Sequence, residues 1–141
     1  MKKLTDAIKT IVEDTGLYCY DVLYEKENDR FFVRVLLDSQ QGITIDDCSR
    51  VSQLVSDLLD EKDPFEDPYF LEVMSAGIEH ALRNDEELAL AVGKKIKVDT
   101  FDQSLTGQLI KYKDGTLTIQ VDRKKIITVN VMDVTDCRLS L

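Results

Sequence analysis

Apolar residues at the start of the chain fall at helical spacing. Leu4, Ala7, Ile8, Ile11 and Val12 follow an i, i+3, i+4 rhythm, and Gly16 supplies a stop. The period then changes to two. Tyr18, Tyr20, Val22 and Tyr24 alternate on one predicted face, and Phe31, Val33, Val35 and Leu37 on the next. The polar stretch KENDR between them predicts a β-hairpin. A second helical stripe follows in Cys48, Val51, Leu54, Val55, Leu58 and Leu59. Thr44 with Asp47 three residues later is a capping-box start, and Pro64 and Pro68 end the segment. YFLEVM then reads as a third strand with Tyr69, Leu71 and Val73 on one face. The predicted order α-β-β-α-β places helices on one side of a small sheet.

The rhythm changes again after Ser75. Ser75, Ala76 and Gly77 are small and suit a sharp turn, and IEHALR leads from it. NDEELALAVG predicts a short connecting helix, capped by Asn84 with Glu87 returning the contact, and ended by Gly93. KKIKVDT, SLTGQLIKYK, TLTIQVDR and KIITVNV then read as short strands, with Asp114-Gly115 the clearest hairpin turn. VMDVTDCRLSL reads as a tight turn and a last strand. Five short strands in about 50 residues predict a small closed barrel of the SH3 or Sm type. The expected fold class is therefore α+β. An N-terminal α-β-β-α-β two-layer domain over 1–90, ending in the connecting helix, precedes a C-terminal all-β barrel over 91–141.

Charge divides the chain in the same region. The whole chain carries −9, but residues 1–92 carry −12 and residues 93–141 carry +3. Such asymmetry suggests two domains that face different partners; an acidic surface that merely maintains solubility is the plainer alternative. Basic residues of the second half form three clusters, which leave out only Arg138: Lys94, Lys95 and Lys97; Lys111 and Lys113 around Tyr112; and Arg123, Lys124 and Lys125. They can meet phosphates, or serve as edge charges that discourage strand-to-strand aggregation.

Cys19, Cys48 and Cys137 are odd in number and form no C-x-x-C, so neither a disulfide framework nor a zinc ribbon is indicated. No apolar run approaches a bilayer span, and no signal-like segment follows Lys2 and Lys3, so a cytoplasmic protein is expected. A lone His80, with no P-loop, G-x-S-x-G or G-x-G-x-x-G, gives no catalytic or metal constellation. Ser75 and His80 lie close together, but nothing marks an orienting acid. An enzyme, a cofactor and a small-molecule substrate are not expected. The element order suggests a KH domain, but the glycines at 16, 42, 77, 93, 107 and 115 provide no G-x-x-G clamp. Tyr18, Tyr20 and Tyr24 suit an RRM-type platform less well than a core face.

Four stretches resemble the bacterial ribosome maturation factor RimP family. GITIDDC at 42–48 is similar to the family's segment opening the second helix. DPFEDPYFLEV at 63–73 is similar to its Asp-Pro turn and following strand. SAGIEHAL at 75–82 stands where the family has Ser-Pro-Gly-Leu-Asp-Arg-Pro-Leu. GKKIKV at 93–98, with LTGQL at 105–109, resembles the start of the C-terminal barrel. The resemblance implies a non-catalytic assembly factor that binds the free small (30S) ribosomal subunit and promotes its maturation. The acidic half would meet a basic ribosomal protein, and the clusters at Lys94, Lys95, Lys97, Lys111, Lys113, Arg123, Lys124 and Lys125 would meet rRNA. Ser75, Gly77, His80 and Arg83 become a candidate ribosome-contact loop. Ala76, His80 and Ala81 depart from the family's Pro, Arg and Pro, which predicts a less restricted loop. Alternatives are an Sm-like regulatory RNA-binding protein and an acidic protein-binding adaptor. No heptad pattern marks an obligate dimer, so a monomer is expected.

Overall fold

A computed structural model describes residues 1–141. It is mixed α+β, with three helices and two sheets, and divides into two compact units, Met1–Ala76 and Gly77–Leu141.

The first unit begins with helix α1, Lys2–Asp14, which buries Leu4, Ile8 and Val12. Strands β1, Tyr18–Glu27, and β2, Arg30–Asp38, form an antiparallel hairpin. The turn residues Asn28 and Asp29 both have positive φ, as a two-residue turn matched to strand twist requires. Helix α2, Ile45–Lys62, starts on the expected box: Asp47 N–H donates to Thr44 Oγ1, and Thr44 N–H donates to Asp47 Oδ2, both at 3.0 Å. Strand β3, Tyr69–Ser75, returns parallel to β2, which makes β2 the central strand. Val51, Val55 and Leu59 of α2 join the α1 stripe over Cys19, Val22, Val33, Val35 and Leu37.

One register detail differs from strict alternation. A bulge at Tyr20 lies between the Cys19–Leu37 and Asp21–Leu36 pairs. The extra residue shifts parity by one. Cys19, Val22 and Tyr24 therefore pack toward the helices, and Tyr18 and Tyr20 do not join that core.

The second unit contains helix α3, Asp85–Leu90, and five antiparallel strands. These are β4, Lys95–Thr100; β5, Ser104–Lys113; β6, Thr116–Gln120; β7, Ile126–Asn130; and β8, Val134–Leu139. Their order in the sheet is β7-β6-β5-β4-β8, and a 3-10 turn at Val131–Asp133 precedes β8. Ile96, Val98, Leu109, Leu117, Ile119, Val129 and Cys137 form the core, joined by Leu82, Leu88 and Ala91.

Those last three residues explain why the division falls at 76/77 rather than at the expected 90/91. Residues 80–82 run beside β8: Leu139 N–H donates to the His80 carbonyl at 3.0 Å, and Leu82 N–H donates to the Cys137 carbonyl at 2.8 Å. Burying Leu82 and Leu88 is worth about 1.5–3 kcal/mol each. IEHALR is thus an added edge segment of the second unit. The shift also changes the charge picture. Residues 1–76 hold 17 acidic and 8 basic side chains, net −9, whereas residues 77–141 hold 10 of each, net zero. Glu79, Asp85, Glu86 and Glu87 offset the lysines that follow.

Candidate functional site

Three surfaces bear the residues of interest. The first is the segment after β3. Ser75 and Gly77 are exposed, and Gly77 adopts φ +104°, the region that favours glycine. His80 belongs to the candidate contact loop, but only 9% of it is exposed. Its Nδ1 donates to the Ala81 carbonyl at 3.1 Å, a direction dictated by an acceptor that carries no proton. The burial follows from the pairing of residues 80–82 along β8.

Arg83 is committed to the start of α3. The Glu87 carboxylate is fully buried and takes Arg83 N–H at 2.8 Å and the guanidinium at 2.8–3.2 Å. Asn84 Oδ1 accepts Glu87 N–H at 2.9 Å, so Asn84 is the cap. Glu87 returns its contact one residue earlier than in a capping box, to Arg83 rather than to the Asn84 backbone. Asp85, in the first turn, accepts from the Tyr112 hydroxyl of β5. That bond, followed by burial, pushes the Tyr112 phenol up to about 12. In this segment Ser75 and Gly77 are exposed, His80 is buried and Arg83 is paired with Glu87.

The second surface is the outer face of the five-stranded sheet. Alternation with Ile96 and Val98 turns Lys95 and Lys97 away from the core. A second bulge, between Leu109 and Lys111, keeps Lys111 and Lys113 on the same outer side while Tyr112 packs inward. Lys97 lies opposite Arg138, whose guanidinium is held by Asp136 at 2.9 and 3.2 Å. Arg138, followed by the more distant Lys97, holds the Asp136 carboxyl below its ordinary range. Lys94 sits in the turn before β4. Arg123, Lys124 and Lys125 are exposed in the β6–β7 turn, at the end of the sheet rather than on its face. The structure thus gathers Lys95, Lys97, Lys111 and Lys113 on one face and separates the third cluster from them.

The third surface was not anticipated. The face of the β1–β3 sheet opposite α1 and α2 carries Phe32 beside Phe70, with ring centroids 5.5 Å apart. Next to them, the Arg34 guanidinium stacks over Phe32 at 4.5 Å and binds Glu72 at 2.6 Å, Glu27 at 2.7 Å and Glu25 at 3.0 Å. These contacts hold Arg34 well above its ordinary value and depress Glu27 below its own. The available signal was the other half of the strand alternation: Phe32, Arg34 and Leu36 interleave with the core positions.

The three thiols are free. Burial pushes Cys19 up to about 11 and Cys137 up to about 12, which removes thiolate character at neutral pH. No helix is long and apolar enough to cross a membrane. Compared with known families, residues 7–79 match the model of the RimP N-terminal domain.

Proposed function

The chain belongs to the RimP family of ribosome maturation factors, and on that premise we propose that it is a non-catalytic assembly factor that binds the free small (30S) ribosomal subunit in the cytoplasm. The match over residues 7–79 carries this reading. The factor would act as a monomer, without cofactor or small-molecule substrate, by binding one arrangement of the maturing subunit and raising its population.

Each unit has a proposed part. The five antiparallel strands, with a 3-10 turn before the last, support reading the second unit as an SH3/Sm-like barrel. Its outer lysines would neutralise rRNA phosphates, with Arg123, Lys124 and Lys125 as a second contact at the sheet end. The first unit, at −9, would meet a basic ribosomal protein. Ser75 and Gly77 would add a contact, with His80 and Arg83 holding the segment after Gly77 within the second unit.

Co-sedimentation tests the reading. The protein is expected to pellet with free small subunits and not with large subunits or intact ribosomes. Lys94→Gln, Lys95→Gln and Lys97→Gln together should weaken binding to small subunits and to protein-free rRNA. They should also lower the log–log salt slope by about one unit per lost phosphate contact. A protein-only adaptor is the second reading, favoured by the net-zero charge of residues 77–141. It requires subunit binding with no measurable affinity for protein-free rRNA.

A further inference from the structure

We infer that the open face of the β1–β3 sheet, built around Phe32, Phe70 and the Arg34–Glu25–Glu27–Glu72 cluster, is a docking surface for an arginine- or lysine-bearing segment of a basic protein. The inference rests on the small-subunit reading above and assigns the protein partner to a specific surface.

Both helices of the first unit pack on the other side of this sheet, so they cannot cover this face. Register brings its residues together in rows. Glu25, Phe32 and Phe70 lie side by side across the three strands, and Leu23, Arg34 and Glu72 form the adjacent row. Phe70 is 49% exposed, and the Glu25, Glu27 and Glu72 side chains are 43%, 53% and 40% exposed. A phenyl ring half in water beside a second ring is apolar area that a partner can desolvate.

Charge selects the partner. Three carboxylates share the Arg34 guanidinium, which leaves that cluster at −2, and the surface stays negative, at −1, when Arg30 beside Phe70 is counted. Each carboxylate has roughly four lone-pair sites, and Arg34 occupies one or two. An incoming guanidinium or ammonium can take the outer sites while its alkyl stem lies on Phe32 and Phe70. Arg30 already shows the geometry, with its guanidinium 5.6 Å from the centre of the Phe70 ring. An RNA strand could stack bases on the same rings, but it would bring phosphates into a negative field. The balance therefore favours a cationic protein segment.

The test uses the full-length protein with two probes, purified small ribosomal subunits and protein-free small-subunit rRNA. Phe70→Ala and the pair Glu25→Gln/Glu27→Gln should each weaken subunit binding about tenfold, as for a central interface contact. Affinity for rRNA should stay unchanged for Phe70→Ala and unchanged or higher for the Glu→Gln pair. Unchanged subunit binding in both variants, with the wild type binding, overturns the surface assignment. Equal loss on subunits and rRNA for Phe70→Ala overturns it in favour of a base-stacking platform. A wild-type protein that binds no small subunits overturns the functional reading itself, which is a separate result. If thermal melts show that the glutamine pair disrupts folding, Phe70→Ala decides alone, because its half-exposed ring contributes little to the core.

Discussion

At the residue scale, two glycines are constrained for different reasons. Gly77 has φ +104°, but a Cβ there would meet nothing within 4 Å. Gly77→Val should therefore cost only backbone strain, about 1–3 kcal/mol. Gly107 has ordinary φ, but a Cβ there would overlap the Gln120 carbonyl oxygen and approach Ile119 Cγ2 at 2.9 Å. Gly107→Ala must push β5 from β6, an overpacking cost of about 1–3 kcal/mol. Urea melts of the two variants check both. Added bulk separates the mechanisms: Gly107→Val should be worse than Gly107→Ala, while Gly77→Val and Gly77→Ala should differ little by crowding. Tyr112 gives a titration at the same scale. Its folded value near 12 exceeds its ordinary 10.0, so the hydroxyl–Asp85 bond is fully present below pH 10 and is lost as pH rises through about 12. Tyr24 and Tyr69 are also raised by burial, so the Tyr112 component of tyrosinate absorbance is identified by difference: it should move down in Asp85→Asn and be absent in Tyr112→Phe.

At the scale of elements, the six-residue helix α3 shows how a short segment becomes ordered. Six residues are too few for independent helix formation. Asn84 caps it, Leu88 anchors it in the second core, and Glu87 ties it back to Arg83. The Glu87 carboxylate has no exposure, so removing its guanidinium partner takes the compensating charge away from a buried carboxylate, while the Arg83 N–H and Asn84 contacts remain. The Arg83 side chain is 41% exposed, which screens part of the interaction. Arg83→Met should consequently destabilise the protein by about 1–3 kcal/mol. Arg83→Lys should recover part of that loss in a denaturant melt, since it restores charge without the forked geometry.

At the scale of the whole molecule, the two cores predict two folding units with unequal tolerance to truncation. Residues 1–76 and 77–141, expressed separately, should each give a cooperative thermal transition, although units this small have limited stability. A fragment of residues 91–141 should not, because it lacks Leu82, Leu88 and the hydrogen bonds that residues 80–82 make to β8. Circular dichroism of the three fragments checks this. A folded 91–141 fragment would restore the boundary at 90/91 and with it the basic second unit. The partition also decides how charge relates to function. With net zero on residues 77–141, any attraction to phosphate depends on where Lys95, Lys97, Lys111 and Lys113 project, rather than on the charge of the unit.

Element type and position were legible in the chain because periodicity and capping act within a few residues. Val51, Val55 and Leu59 reveal one helix face, and Thr44 with Asp47 marks its start. The Asp114-Gly115 turn, with both φ positive, needed no tertiary information either. The RimP resemblance was likewise carried by local motifs, and residues 7–79 match that family's N-terminal domain. What tertiary structure decided depends on contacts between residues far apart in sequence. IEHALR contains no signal that it will lie along β8, because the partner strand is more than 50 residues away. The bulge at Tyr20 is likewise a product of pairing, and it alone determines that Cys19 enters the core in place of Tyr18 and Tyr20. Arg34 reaches Glu72 only because α2 carries β3 back parallel to β2. Local conformational preference is written residue by residue, whereas register and burial are settled only when separate segments compete for the same partners.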